Sequence, residues 1–245
     1  MKKNRELVVS AVIIGIMIFM GTTQLGFINI GPISATLLHV PVLVGAILVS
    51  RKVGIICGLF FGLYSFIRSF TNPSPLSFIF MNPIISIIPR VLMPLIASNL
   101  YMSLNKIDSD KKQKYTNFLC AFMIFILSIS LYISIIEKKA ILFISLIIVF
   151  LVLFTIFLVL SVLQKVKGFA FLVATFTTVV HTIMVMGLVS IIYLHPASIA
   201  MNIDIQKTSF YLLLVSLTNG IPEAFIAGII LESLQKGMKK YDIGR

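Results

Sequence analysis

Arg51-Lys-Val-Gly-Ile-Ile-Cys-Gly-Leu-Phe-Phe-Gly-Leu-Tyr-Ser-Phe-Ile-Arg68 is an apolar run held between cations, and its small residues, counted from Ser50, return as Gly54, Gly58 and Gly62. A four-residue repeat places them on one face of a helix. That face is a flat stripe on which another helix can pack closely. At 1.5 Å per residue the run 52–70 approaches the ~30 Å of a bilayer core, so the segment reads as a membrane-crossing helix with a packed side.

The rest of the chain repeats the pattern. Apolar residues make up 59% of 245 and charged residues 11%, against roughly 25% charged in a soluble domain. At about 20 apolar residues per crossing, little is left for a globular domain. Apolar runs broken by charge or turn residues give eight spans: 7–27, 33–49, 52–70, 83–104, 116–136, 140–163, 168–194 and 208–235. The expected fold is therefore all-α, a single polytopic membrane domain over 1–245. Its basic start followed by an apolar run resembles a signal peptide, but Gly21 to Gly26 offers no small-residue cleavage site. The first run is expected to remain as a helix.

The net charge of +12 would suit nucleic acid only if a basic face met water. Instead the charges sit between apolar runs. With the N-terminus inside, the cytoplasmic side receives Lys2, Lys3, Arg5, Arg51, Lys52, Lys106, Lys111, Lys112, Lys114, Lys165, Lys167, Lys236, Lys239, Lys240 and Arg245, and the opposite side only Lys138, Lys139 and Lys207. The positive-inside rule then expects a cell-membrane protein with both termini in the cytoplasm. Cys57 and Cys120 lie inside apolar runs without metal-type spacing. Phosphate-binding loops, HExxH, paired carboxylates and nucleophile triads are missing, so neither enzyme activity nor a cofactor is expected, and any ATP chemistry belongs to a partner.

Function is expected where polarity enters the spans. Between Arg68 and Arg90, the residues Pro73, Pro75, Pro83 and Pro89 rule out a continuous helix and predict a structured loop on the outer side. Asn82 before Pro83 is an N-cap and first-turn pair, whose helix end favours anions. Arg90 follows at a depth where a charge costs ~2.5–3.5 kcal/mol, and either an ion pair with Glu223 or an anionic ligand answers it. Arg68 can snorkel to headgroups or face the cavity. His39 suits a cavity hydrogen bond or a buried helix-breaking contact, and His181, near Thr177 and Thr178, an interhelical bond or a proton relay. Asn219-Gly-Ile-Pro-Glu223 sets an amide, a kink and a carboxylate in the last span. Gly220, Ala224 and Gly228 repeat the small-residue stripe, and Ala11 and Gly15 make one such step in the first span. The runs 116–136 and 140–163, rich in Ile, Leu, Phe and Val without buried charge, read as a lipid-facing hairpin.

Taken together, His39-Val-Pro-Val-Leu-Val-Gly45, Phe61-Gly62, Arg68-Ser-Phe-Thr-Asn-Pro-Ser-Pro-Leu-Ser77, Asn82-Pro83, Pro89-Arg90 and Asn219-Gly-Ile-Pro-Glu223 resemble the substrate-binding S component of energy-coupling factor (ECF) vitamin importers, most of all the pantothenate-type branch. The likeness covers about 1–104 and 168–236. It implies a prokaryotic six-helix core in which 105–167 is an inserted two-helix hairpin. It further implies a small-molecule vitamin as ligand, and as partners a transmembrane coupling protein and two ATPase subunits. Family members meet the coupling protein through Ala-x-x-x-Ala in the first helix, here Ala11 and Gly15. For a pantothenate-like ligand the carboxylate is expected at Arg90 and the Asn82 helix end, with hydroxyl and amide groups reached by Asn72, Ser77, His39 and Asn219. Glu223 and Arg68 complete the candidate set. The rival reading is an autonomous proton-coupled transporter of a small organic anion, using Glu223 or His181.

Overall fold

The computed structural model describes residues 2–23, 26–30, 33–72, 76–136, 148, 151–152, 155–156, 158–159 and 169–240. The elements are α1 (Lys2–Thr22), β1 (Phe27–Ile30), β2 (Ile33–Thr36), α2 (His39–Val44) continued by a π-helical turn (Gly45–Val49), α3 (Arg51–Thr71), α4 (Ser77–Phe80), α5 (Pro83–Ser86), α6 (Ile88–Asn105) and α7 (Ser109–Ile136). Beyond residue 168 come α8 (Phe169–Ile192), α9 (Leu194–Met201) and α10 (Ile205–Lys240). Four helical stretches among the described residues are long and apolar enough to cross a membrane: Asn4–Thr22, Arg51–Thr71, Pro83–Asn105 and Phe169–Ile192. These four answer to the expected spans 7–27, 52–70, 83–104 and 168–194; α7 and α10 lie over 116–136 and 208–235 without adding to that count, and the arm at 140–163 lies largely outside the described residues, so the structure does not establish eight crossings.

The second expected span, 33–49, is not one continuous helix. Its start is β2, paired antiparallel with β1 from Phe27↔Thr36 to Ile30↔Ile33. The chain then coils into six helical residues plus a π turn of five, about half a bilayer in length at 1.5 Å per residue. Gly31-Pro32 interrupts the helical pattern, and the β-branched Ile28, Ile30, Ile33 and Thr36 flanking it favour strands. Ser50, extended at φ −164°, ψ 158°, then starts α3 by accepting from the Val53 amide.

The small-residue stripe of α3 meets protein along its length. A side-chain carbon added at Gly54 would strike Ala46, at Gly62 the Ile87 backbone, and at Gly58 the Arg90 carbonyl oxygen and the Pro94 ring. The last contact has a chemical reason. Pro94 lies inside α6 and has no N–H, so the carbonyl four residues earlier, that of Arg90, loses its helical donor just where Gly58 closes in. On α10, Gly220 packs against Thr182, and Gly228 against Phe171 and Thr175.

The apolar core forms three clusters. One lies among α1, α2, α3, α6, α8 and α10, around Met17, Leu43, Cys57, Met93, Val173 and Leu231. A second lies beneath α4, α5 and α9, around Ile79, Ile85, Val189, Ala197 and Leu212. The third joins Cys120, Met123 and Leu127 of α7 to Phe171, Ile221 and Phe225. One side of α7 therefore buries against α8 and α10, while Phe118, Phe125 and Tyr132 are exposed on another. The expectation of a lipid-facing hairpin holds for only part of this helix, because a 3.6-residue period divides its bulky residues between two faces.

Candidate functional site

Along α6, α8 and α10 the same order appears. In α6, Ile85 at the preceding turn belongs to the upper cluster and Met93 and Ala97 to the lower; Arg90 lies between. In α8, Ala170, Val173 and Ala174 are in the lower cluster and Val185 and Val189 in the upper, with Thr177, Thr178 and His181 between. In α10, Leu212 is above, Leu231 below, and Glu223 between. The polar residues thus form one layer sandwiched by apolar packing, and His39 at the start of α2 joins it. All six are buried.

Arg90 is 5% exposed. One guanidinium nitrogen, Nη1, donates to the carbonyls of Ile85 (3.1 Å) and Ser86 (2.8 Å), which the break between α5 and α6 leaves without helical partners. The guanidinium carbon lies 4.8 Å from the centre of the Phe61 ring and 5.4 Å from that of Phe80, so the cation rests between two π-faces. Nε has no hydrogen-bond partner. The Phe61 ring in turn neighbours His181, with centroids 6.3 Å apart.

Glu223 does not form an ion pair with Arg90. Its Oε1 accepts from the Thr36 amide at 2.6 Å, tying the end of the β-hairpin to α10. Of the two partners weighed for Arg90, the direct carboxylate contact is therefore replaced by backbone carbonyls, because the α5–α6 break supplies acceptors closer by.

The Thr36 carbonyl also holds His39, whose Nδ1 lies 2.7 Å from it. In a neutral ring this puts the proton on Nδ1 and leaves Nε2 as an acceptor. Five buried atoms in the layer lack a hydrogen-bond partner: His39 Nε2, Arg90 Nε, Thr177 Oγ1, Thr178 Oγ1 and His181 Nε2. A buried polar group left unpaired costs ~1–3 kcal/mol, and native proteins tolerate only a few. All five fall in this one layer. It offers a cation, two threonine hydroxyls and two imidazole nitrogens.

The remaining candidates fall elsewhere. Asn82 Oδ1 accepts from the Ile84 amide at 2.9 Å, so it caps α5 as expected, but α5 is a single turn of four residues that ends at Ile87. Ser77 is buried at the start of α4. Arg68 Nη1 donates to the Gly21 carbonyl at 2.8 Å, and together with the exposed Asn72 it lines an open groove between the ends of α1 and α3. The Asn219 side chain lies outside the described ones. Ala11 and Gly15 are exposed, and nothing lies within 4 Å of a carbon added at Gly15.

Sequence reasoning left His181, Thr177 and Thr178 out of the binding set. Their spacing of three and four residues, which puts them on one helix face, was the available signal. It also missed Glu232, 5% exposed, which accepts from the amides of Ala170 (3.0 Å) and Phe171 (3.3 Å) and so caps the start of α8 from α10. Nothing local distinguishes Glu232 from a surface acid.

Residues 5–234 match the family model of the ECF transporter, substrate-specific component. The chain belongs to that family. The substrate-specific component is also similar to the pantothenic acid transporter PanT of Lactococcus lactis subsp. cremoris (strain MG1363), with 30% identity over 123 residues, 43% of this chain and 63% of that protein's length. Its buried layer is formed by α2, α6, α8 and α10, all within the residues that the family model matches or, for α10, nearly so.

Proposed function

We propose that this substrate-specific component captures pantothenate or a similar carboxylate vitamin from outside the cell and delivers it through an ATP-driven module made of a transmembrane coupling protein and two ATPase subunits. The observation that carries the reading is the layer of five unpaired polar atoms around Arg90. Pantothenate carries a carboxylate, an amide and two hydroxyls. Arg90 would take the carboxylate, the neutral His39 Nε2 would accept from a hydroxyl or amide N–H, and Thr177, Thr178 and His181 would serve the remaining polar groups. Charge-assisted hydrogen bonds contribute ~1.5–3 kcal/mol each. The likeness to a pantothenic acid transporter supports the ligand class, and fifteen basic residues on one side of the expected topology support cytoplasmic termini. The Glu223 bond to Thr36 would hold the hairpin closed over the layer.

The test is titration of the purified protein with pantothenate and with its alcohol analogue. Arg90→Ala is expected to weaken pantothenate binding by about 100-fold, ~2.7 kcal/mol at 1.4 kcal/mol per tenfold, and the alcohol far less. Equal losses would assign Arg90 to structure, and no saturable binding by the unaltered protein would remove the vitamin from the reading. Uptake into liposomes by this chain alone, driven by a pH gradient, would favour a proton-coupled transporter working through Glu223 or His181.

A further inference from the structure

The groove between α1 and α3 takes no part in the buried layer. Its volume is about 660 Å³, within the ~300–1,000 Å³ of small-molecule sites, and it is open along one side. Its lining is graded. Phe60, Leu63, Tyr64 and Ile67 of α3 form an apolar wall, while Thr22, Thr23 and Thr71, whose hydroxyls donate to carbonyls of the preceding turn, gather with Arg68 at one end, and among the described residues no carboxylate lines it. Leu63 and Ile67 are 42% and 58% exposed on a helix long and apolar enough to span a membrane, so the wall opens sideways to acyl chains.

Two details fix this arrangement. A side-chain carbon at Gly21 would collide with the Tyr64 ring, so glycine is what lets α1 end against α3 here. The carbonyl of the buried Gly21 then receives Arg68 Nη1 at 2.8 Å. A long side chain that would otherwise range among headgroups is held at the rim.

We propose that this groove binds a membrane phospholipid with an anionic headgroup, its phosphate against the Arg68 guanidinium and one acyl chain along Phe60, Leu63 and Ile67. Charge complementarity selects the headgroup, and the apolar, laterally open wall selects a lipid over a water-soluble anion. Arg68 and Asn72 thereby leave the vitamin-binding set. The inference does not depend on which vitamin the buried layer takes.

The test uses the full chain in detergent, titrated with phosphatidylglycerol and with phosphatidylcholine of identical acyl chains, bound lipid being counted by native mass spectrometry. The unaltered protein is expected to favour phosphatidylglycerol by about fivefold, the worth of one basic residue at an anionic surface. Arg68→Gln should abolish that preference and Arg68→Lys should keep most of it. Ile67→Trp, which leaves the Arg68–Gly21 bond intact, should reduce binding of both lipids about threefold or more. An unchanged preference in Arg68→Gln, unchanged binding in Ile67→Trp, or displacement of phosphatidylglycerol by saturating pantothenate would each overturn the proposal.

Discussion

Two helices carry the same small-residue signal with opposite outcomes. On α3, Gly54, Gly58 and Gly62 are buried against Ala46, the Arg90 carbonyl and the Ile87 backbone. On α1, Ala11 and Gly15 stand on an exposed face among Val8, Val12 and Ile16. Four-residue spacing of small side chains therefore marks a surface that permits close approach, and says nothing about whether the approaching body lies within the same chain. On α3 the body is the π turn after α2 together with the α5–α6 stretch that carries Arg90, all within the chain. On α1 the stripe is left for a partner or for lipid.

Substitutions can break or sharpen that contrast. The largest effect is expected at Gly58. Gly58→Val would drive side-chain atoms into the Arg90 carbonyl and Pro94, and overpacking against backbone should destabilise the protein by about 3 kcal/mol or more. A thermal unfolding midpoint in detergent measures the loss, and ligand titration should show binding falling with it, since Arg90 must move. A mild effect there would mean that the α3–α6 contact is far looser than its geometry.

Gly228→Val tests whether the third stripe behaves like the first. Its added carbons would meet Phe171 and the Thr175 hydroxyl, side chains that can yield more readily than backbone, so about 1–3 kcal/mol is expected with α6 and Arg90 undisturbed. Pantothenate affinity at low temperature should stay within about twofold.

Gly15→Leu addresses the exposed stripe. Stability should change by no more than about 0.5 kcal/mol and ligand binding not at all, whereas uptake by the reconstituted complex should fall at least tenfold if α1 meets the coupling protein. Uptake at the unaltered rate would leave the α1 face to lipid. The smallest effect is expected at Gly187, inside α8 with open space around it. Gly187→Ala should raise stability by about 0.5–1 kcal/mol through reduced chain entropy, seen as a higher unfolding midpoint.

Legibility of the fold followed the physics of each segment. The limits of α3 and α8 fall within about two residues of 52–70 and 168–194, and α5 with α6 covers 83–104, because insertion into hydrocarbon demands long apolar runs ended by charge. The stretch around Gly31-Pro32 was misread because Ile-rich sequence is apolar whether it pairs as strands or coils as a helix. Of the site, Arg90 and His39 were legible as rare polar groups in apolar spans. The role of Thr177 and Thr178 was not, since a threonine hydroxyl in a helix commonly bonds the preceding turn, as Thr182 does with the Thr178 carbonyl at 3.1 Å. Only the packed structure shows that these two do not.

By itself, the sequence determined that this chain is a bundle of membrane helices and where its few charges enter the apolar runs, because burial of backbone in lipid leaves little choice of secondary structure. Tertiary structure decided the partners. It sent Glu223 to the Thr36 amide instead of to Arg90, set Arg68 on the Gly21 carbonyl apart from Arg90, and distinguished a stripe that is filled from one that is open. Those outcomes depend on which helix lies opposite, and a hydrogen bond or a van der Waals contact exists only once that neighbour is in place.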